Sequence, residues 1–111
     1  MAKSVKKDAV FDAIVKKLKA EFKLSRLYLF GSRGRGEGQR DSDYDIVAIV
    51  PNSKLSRFKR EVEARVALKD VPAAIDIFVY TEKEFEQDRK EFGSIAETTM
   101  FEGREIQLAD F

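Results

Sequence analysis

Residues 26–50 read RLYLFGSRGRGEGQRDSDYDIVAIV, and this stretch carries the pattern that decides the fold. An apolar run over 24–30 and a second over 43–50 predict strands, and the near-continuous second run is typical of a strand buried on both faces. Between them, four glycines and three arginines indicate a loop. A loop of about a dozen residues is long for a compact domain, and such loops are usually functional when they are ordered.

Apolar residues recur at helical spacing before and after these two strands. The spacing predicts an amphipathic helix over 5–22 and another over 55–68. In the second helix the apolar side consists of Leu55, Phe58, Val62 and Val66, and the polar face, to which no function is assigned, of Lys54, Arg57, Lys59, Arg60 and Arg65.

The C-terminal third of the chain contains one more apolar run and two helix-start signals. The run AIDIFVY over 74–80 predicts a third strand, and 105–108 predicts a short last one. Two capping-box patterns predict short helices, one opened by Thr81 and Glu84 and one opened by Ser94 and Glu97. The order α-β-loop-β-α-β-α-α-β indicates one domain over 1–111, of the α/β (α+β) class with helices packed on a small sheet.

The composition restricts the chemistry that the chain can perform. A net charge of +1 over 111 residues gives no strong nucleic-acid signal. The sequence has no cysteine and no histidine, which excludes disulfides and Ser-His or Cys-His triads and fits a reducing, cytoplasmic location. No apolar run approaches the ~20 residues of a membrane span, so no membrane association is expected.

Three aspartates are candidates for a metal site. Asp43 and Asp45 are two residues apart on a strand and therefore point to the same face, where two carboxylates repel each other unless a cation lies between them. Asp76 is the single charge in its apolar strand and needs a partner or a metal. If the second and third strands are neighbours, the three acids meet. Oxygen ligands of this kind suit Mg²⁺, and three carboxylates around two metal ions would form a phosphoryl-transfer site.

The loop before Asp43 supplies the complementary charge. Gly31 and Ser32 follow the first strand directly, and glycine lets backbone N–H groups approach a phosphate while the Ser32 hydroxyl donates to one. Arg33, Arg35 and Arg40 place cations nearby. Cationic phosphate binding beside anionic metal binding is what a complex of NTP and Mg²⁺ requires.

The motif formed by these residues resembles that of a known family. Gly31-Ser32, ten residues and Asp43-Tyr44-Asp45 are similar to the G-S-x₁₀-D-x-D signature of the DNA polymerase β nucleotidyltransferase superfamily. The string GSRGRGEGQRDSDYD resembles its minimal nucleotidyltransferases (MNT-type), with Gly34 where alanine is usual. The tail FEGREIQL is similar to the ending of small members.

The resemblance implies a fold, a site and a partner. The fold is the polymerase β-like nucleotidyltransferase fold with a mixed sheet. Gly31 and Ser32 bind triphosphate, Asp43 and Asp45 bind metal, Asp76 is a metal ligand or the base, and Arg35 matches the loop arginine of the family. Some minimal members are antitoxin partners of HEPN ribonuclease toxins, so the implied acceptor is a tyrosine of a HEPN-type helical toxin that receives AMP.

Two other functions stay open at this point. One is a non-catalytic toxin-binding module with a vestigial NTP site, and the other is an aminoglycoside-type adenylyltransferase, whose members usually carry an additional helical domain. The main hypothesis is a nucleotidyltransferase that uses Mg²⁺, expected as two ions, and ATP to modify a partner protein and release pyrophosphate. The sequence leaves a homo-oligomer open.

Overall fold

A mixed four-stranded sheet forms the centre of the molecule. The computed structural model describes residues 8–31 and 43–111. Within them, the strands are β1 (Arg26–Phe30), β2 (Tyr44–Val50), β3 (Ile75–Thr81) and β4 (Arg104–Glu105), in the spatial order β3-β2-β1-β4. β2 and β3 are parallel, whereas β1 is antiparallel to both β2 and β4. The mixed sheet that the family resemblance implied is therefore confirmed.

Helices cover both faces of this sheet. They are α1 (Ala9–Glu21), α2 (Arg57–Ala67), α3 (Glu82–Asp88) and α4 (Ile95–Glu102), and a 3₁₀ turn follows at Leu108–Asp110. α1 and α2 pack on one face over a core that includes Ile14, Ile46, Ala64 and Ile77. α3 and α4 pack on the other over Tyr28, Val47, Phe85 and Ala96. The prediction that β2 is buried on both faces is confirmed, because it lies between these two cores. Every helix in the described ranges falls short of the length and apolar character of a membrane-spanning segment.

The two predicted capping boxes differ in the structure. At α3 the box is complete, because the Thr81 side chain accepts from the Glu84 N–H and the Glu84 carboxylate accepts from the Thr81 N–H at 2.9 Å. At α4 the Ser94 hydroxyl caps the helix, but Glu97 accepts from the N–H of Gly93 at 2.7 Å. The second box is therefore not reciprocal, although the helix starts where the pattern predicts.

The last strand begins one residue earlier than the sequence predicts. β4 covers Arg104–Glu105 and pairs with the middle of β1, and the Ile106 N–H extends this pairing by donating to the Leu27 carbonyl at 2.8 Å. Leu108 instead opens the 3₁₀ turn. The predicted span 105–108 is wrong because pairing with the short β1 ends at Ile106.

Helix α2 buries a different face from the apolar one that the sequence predicts. Its buried residues are Arg60 and Ala64, whereas Phe58, Val62 and Val66 are exposed. Arg60 is 2% exposed. Together with Glu61 it forms the polar clamp, the set of side-chain hydrogen bonds to the outer backbone groups of the edge strand β3. Its guanidinium donates to the carbonyls of Val79 and Leu55 and to the Glu84 carboxylate, and the Glu61 carboxylate accepts from the Val79 N–H. The sequence prediction of Arg60 as a solvated charge is therefore wrong, because the outer backbone groups of an edge strand need partners and the side chains of α2 supply them.

We expect Arg60→Ala to lower the free energy of unfolding by about 2–4 kcal/mol, because it leaves two backbone carbonyls without this donor and the Glu84 carboxylate without its cation. Solvent screens part of this loss, since the Glu84 side chain is 40% exposed. The matched control is Arg57→Ala, whose side chain is 45% exposed and should cost less than about 1 kcal/mol. Urea denaturation of both variants tests this, and equal losses would contradict the buried clamp.

Candidate active site

The parallel register brings two of the predicted aspartates side by side. Asp45 lies near the start of β2 and pairs directly with Asp76 on β3, and it also pairs with Phe30 at the end of β1. Residues opposite each other on neighbouring strands point to the same face. Asp45 and Asp76 therefore lie next to each other at one end of the sheet, on the face that carries α3 and α4.

The two carboxyl groups have different surroundings. Asp45 is partly buried, whereas Asp76 is exposed. The expectation that Asp76 needs a partner because of burial is wrong, since β3 is an edge strand and Asp76 lies near its open end. Register, and not burial, brings Asp76 to Asp45. Asp43 is exposed and precedes β2.

The charges of this end of the sheet act on one another. Burial raises the pKa of the Asp45 carboxyl above its ordinary value, the Asp76 carboxyl raises it further through its charge and a hydrogen bond, and the charge of Asp43 adds a smaller contribution. The neighbouring Phe30 ring packs against Phe78 at 6.2 Å between centroids, so an apolar surface adjoins Asp45. Such a carboxylate gains stability from a proton or from a cation.

The Asp45 carboxylate lies directly against the backbone of Gly31. Its φ of +71° lies in the left-handed region, where glycine is at little cost and other residues are strained. A Cβ built on Gly31 would collide with the Oδ2 atom of Asp45 and lie 3.3 Å from its Cγ. Glycine is therefore required twice at this position, for the backbone turn and for the space that the Asp45 carboxylate occupies.

Tyr44, the residue between Asp43 and Asp45, anchors the start of β2 on the opposite face of the sheet. Its buried side chain lies on the other face of the sheet from Asp45, stacks on Phe11 with centroids 6.0 Å apart, and donates to the Asp8 carboxylate at 2.6 Å. Asp8 also caps α1 by accepting from the Phe11 N–H. Tyr44 is therefore a packing residue of β2. The link to Asp8 was missed, because no local pattern connects residues so far apart in sequence.

Ser32 and Arg35, which the resemblance assigns to the nucleotide site, lie outside the described residues, as do the loop cations Arg33 and Arg40, to which no role is assigned. Of the predicted triphosphate-binding pair, Gly31 alone is described, and it lies against the acid pair.

The donor set fits a divalent metal ion. Mg²⁺ is commonly held by one or two carboxylates, and water and substrate phosphates complete its shell. Asp45 and Asp76 supply two such carboxylates, and a cation between them would offset both the burial and the repulsion that raise the pKa of Asp45. Across residues 8–31 and 43–111, no three acidic side chains form a ready-made metal-binding group. The pair thus leaves room for ligands from the substrate.

The sequence as a whole matches a family model. Residues 12–106 match the model described as nucleotidyltransferase domain. The chain belongs to this nucleotidyltransferase family. Enzymes of such a family transfer a nucleotidyl group from a nucleotide to an acceptor, which is the activity that the family resemblance of the motif implied. Among proteins of curated function, no significant match to this nucleotidyltransferase was found.

Solved structures share its fold at low sequence identity. One chain of a toxin–antitoxin crystal structure with AMP-PNP is 22% identical with a TM-score of 0.53, covering 89% of this chain and 76% of that one. A protein from Sulfolobus solfataricus described as a nucleotidyltransferase is 23% identical with a TM-score of 0.53, covering 77% and 85%. A mutant of the toxin–antitoxin MntA–HepT is 20% identical with a TM-score of 0.58, covering 87% and 71%. These matches confirm the polymerase β-like nucleotidyltransferase fold.

The electrostatics of Asp45 predict an effect on stability. We expect Asp45→Asn to raise the melting temperature of the metal-free protein at pH 7 by roughly 2–5 °C, a size limited by the partial exposure of Asp45. The folded state holds the Asp45 proton to a higher pH than the unfolded chain does. Ionisation therefore opposes folding above the raised pKa, and this penalty disappears below the ordinary pKa of an aspartate.

Melting curves in EDTA between pH 4 and 8 measure this difference. The control is Asp70→Asn, an exposed acid that forms no ion pair with the described residues and should change little at any pH. If the difference in melting temperature between wild type and Asp45→Asn widens as the pH falls, the claim that ionised Asp45 opposes folding is contradicted.

Proposed function

We propose that this nucleotidyltransferase uses Mg²⁺ and ATP to transfer AMP to a hydroxyl group of a partner protein. The observation that carries the proposal is the pair formed by Asp45 and Asp76, which lie in direct register at the start of two parallel strands. At Gly31, the space that a side chain would need is occupied by the Asp45 carboxylate. A pair of converging carboxylates without histidine or cysteine favours metal-dependent chemistry at phosphate.

The residues have separate roles in the proposed reaction. Asp45 and Asp76 would hold the metal, with Asp43 as a further ligand. Two bound Mg²⁺ ions would neutralise charge on the triphosphate and on the leaving pyrophosphate. Gly31 and Ser32 bind the triphosphate, and Arg35 adds positive charge. In the proposed reaction Asp76, the more exposed acid, accepts a proton from the incoming hydroxyl.

The bond changes follow those of an in-line displacement. The acceptor oxygen forms a bond to the α-phosphorus of ATP while the bond from that phosphorus to the bridging oxygen breaks. Pyrophosphate leaves with that electron pair, and the hydroxyl proton moves to the Asp76 carboxylate. The acceptor then carries AMP as a phosphodiester.

A protein acceptor is favoured by the structures that share this fold. Structures of similar fold come from toxin–antitoxin complexes, one of them with AMP-PNP. This supports a HEPN-type helical toxin as the partner, an antitoxin role for this chain in the cytoplasm, and an adenine nucleotide as the donor.

Label transfer tests the proposal. The purified chain is incubated with Mg²⁺ and a lysate of its own source, together with ATP labelled at the α- or the γ-phosphate. We expect a protein band labelled by α-labelled ATP alone and lost in EDTA, and mass spectrometry of that band would identify the modified side chain. A band labelled from the γ-phosphate would contradict nucleotidyl transfer.

A non-catalytic binding module is the second candidate. It is favoured by the finding that the described acids do not form a group of three ready to hold a metal. If no NTP labels any product while the chain still binds a partner protein, this second function replaces the first.

A further inference from the structure

The outer face of α2 is an apolar stripe with no partner in the described structure. Phe58, Val62 and Val66 are spaced four residues apart and lie on one side of the helix, with exposed fractions of 73%, 40% and 58%. Leu55, just before the helix, extends the stripe and is also exposed. Single exposed apolar residues are ordinary, but an aligned set along one helix marks an interaction site.

The fold keeps this stripe on the surface in an unusual way. An amphipathic helix normally turns its apolar side to the core. Here α2 turns Arg60 inward, because Arg60 and Glu61 satisfy the outer backbone groups of Val79 on the edge strand. The polar clamp on β3 therefore fixes the rotation of α2, and that rotation directs Phe58 and Val62 to solvent.

Cations flank the stripe on both sides. With about 100° of rotation per residue, Lys59 and Arg65 lie roughly 60° to either side of Val62. Neither forms an ion pair with any residue of the described ranges, and both are exposed. Glu63 lies farther round the helix, beyond Lys59. The stripe is thus an apolar surface with a basic border.

The charges identify the occupant. In a symmetric dimer through this face, cations on both borders would meet the cations of the other copy, and like charges across an interface are unfavourable. An acidic border around an apolar patch complements the stripe instead. We infer that the stripe of α2, defined by Leu55, Phe58, Val62 and Val66, is the docking surface for a protein partner that presents an apolar patch bordered by Asp and Glu side chains.

The position of the stripe relates it to the active site. β2 and β3 are parallel and both start at the end that carries Asp45 and Asp76, so the connecting helix α2 runs back toward that end. The C-terminal end of the stripe is therefore near the end of the sheet that carries the two acids, with α2 on the opposite face of the sheet from them. That the docked protein is also the acceptor of AMP rests on the proposed function, whereas docking itself requires no nucleotide.

Photo-crosslinking from the stripe tests the inference. The full chain with p-benzoylphenylalanine in place of Phe58 is irradiated in a lysate of its source without ATP, and the crosslinked peptide is identified by mass spectrometry. The identified protein is then purified and titrated against the unmodified chain and its variants. We expect a crosslinked segment with apolar residues bordered by acids, and an affinity that falls as the salt concentration rises.

Three variants decide the outcome. Phe58→Ser/Val62→Ser and Lys59→Glu/Arg65→Glu should each weaken binding at least about tenfold. Phe92→Ser, which removes an aromatic ring that is 97% exposed elsewhere, should leave it unchanged. Crosslinks to a second copy of the chain together with a dimer mass in solution, binding only to vesicles rich in phosphatidylserine, or equal affinities in all variants would each overturn the inference. Label transfer that fails while this binding persists would count against the proposed function alone.

Discussion

Asp45→Asn is expected to reduce nucleotidyl transfer by at least about a thousandfold, equivalent to ~4 kcal/mol of transition-state stabilisation. The reason is the pairing of Asp45 with Asp76, which is lost when either acid is replaced. Asp76→Asn should show a loss of the same order. Initial rates of AMP incorporation at saturating Mg²⁺ and ATP measure both effects.

This loss can be separated from unfolding. Replacement of Asp45 removes a carboxylate whose ionisation opposes folding, so the variant should be at least as stable as the wild type. A protein that melts at a higher temperature and has lost its activity points to the site and not to the fold. Asp70→Asn serves again as the control and should keep full activity. Retention of more than about a tenth of the rate in Asp45→Asn would contradict the assigned role, since one required ligand typically costs far more.

Gly31→Ala is expected to reduce transfer at least about a hundredfold and to cost roughly 1–2 kcal/mol of stability. The stability loss comes from the positive φ of Gly31. The activity loss comes from the added Cβ, which would displace the Asp45 carboxylate. Rates and urea denaturation are measured on the same preparations.

Gly93 offers a matched control for this experiment. Its φ is +80°, close to that of Gly31, but a Cβ added there meets no atom within 4 Å. Gly93→Ala should therefore show a similar loss of stability, with activity within about twofold of the wild type. Equal activity losses in the two variants would mean that backbone strain, and not the contact with Asp45, explains the effect.

Much of the fold could be predicted from local patterns. The run DYDIVAIV carries no alternation, and β2 is buried on both faces as that pattern predicts. The helix starts at Thr81 and Ser94 follow from single hydroxyl side chains that accept backbone N–H groups. The register that places Asp45 beside Asp76 was not available from pattern alone, because strand adjacency depends on contacts between distant parts of the chain.

Helix α2 shows why apolar spacing alone can give the wrong face. Phe58, Val62 and Val66 predict a core-facing side, but the buried positions are Arg60 and Ala64. The edge strand β3 decides the outcome, because its Val79 backbone groups need hydrogen-bond partners that Arg60 and Glu61 provide. The apolar spacing correctly predicted a helix. Which face of that helix is buried depends on hydrogen bonds to the edge strand β3, and the sequence does not show that β3 is at the edge of the sheet.

The most direct test of the central claim is to locate the metal. A crystal of the protein with Mn²⁺ and a non-hydrolysable ATP analogue, measured at the manganese absorption edge, gives the position of the ion by anomalous scattering. We predict a peak between the carboxylates of Asp45 and Asp76, at about 2.0–2.2 Å from an oxygen of each, in a shell completed by the nucleotide phosphates. A bound nucleotide whose manganese peak lies away from both aspartates would contradict the account.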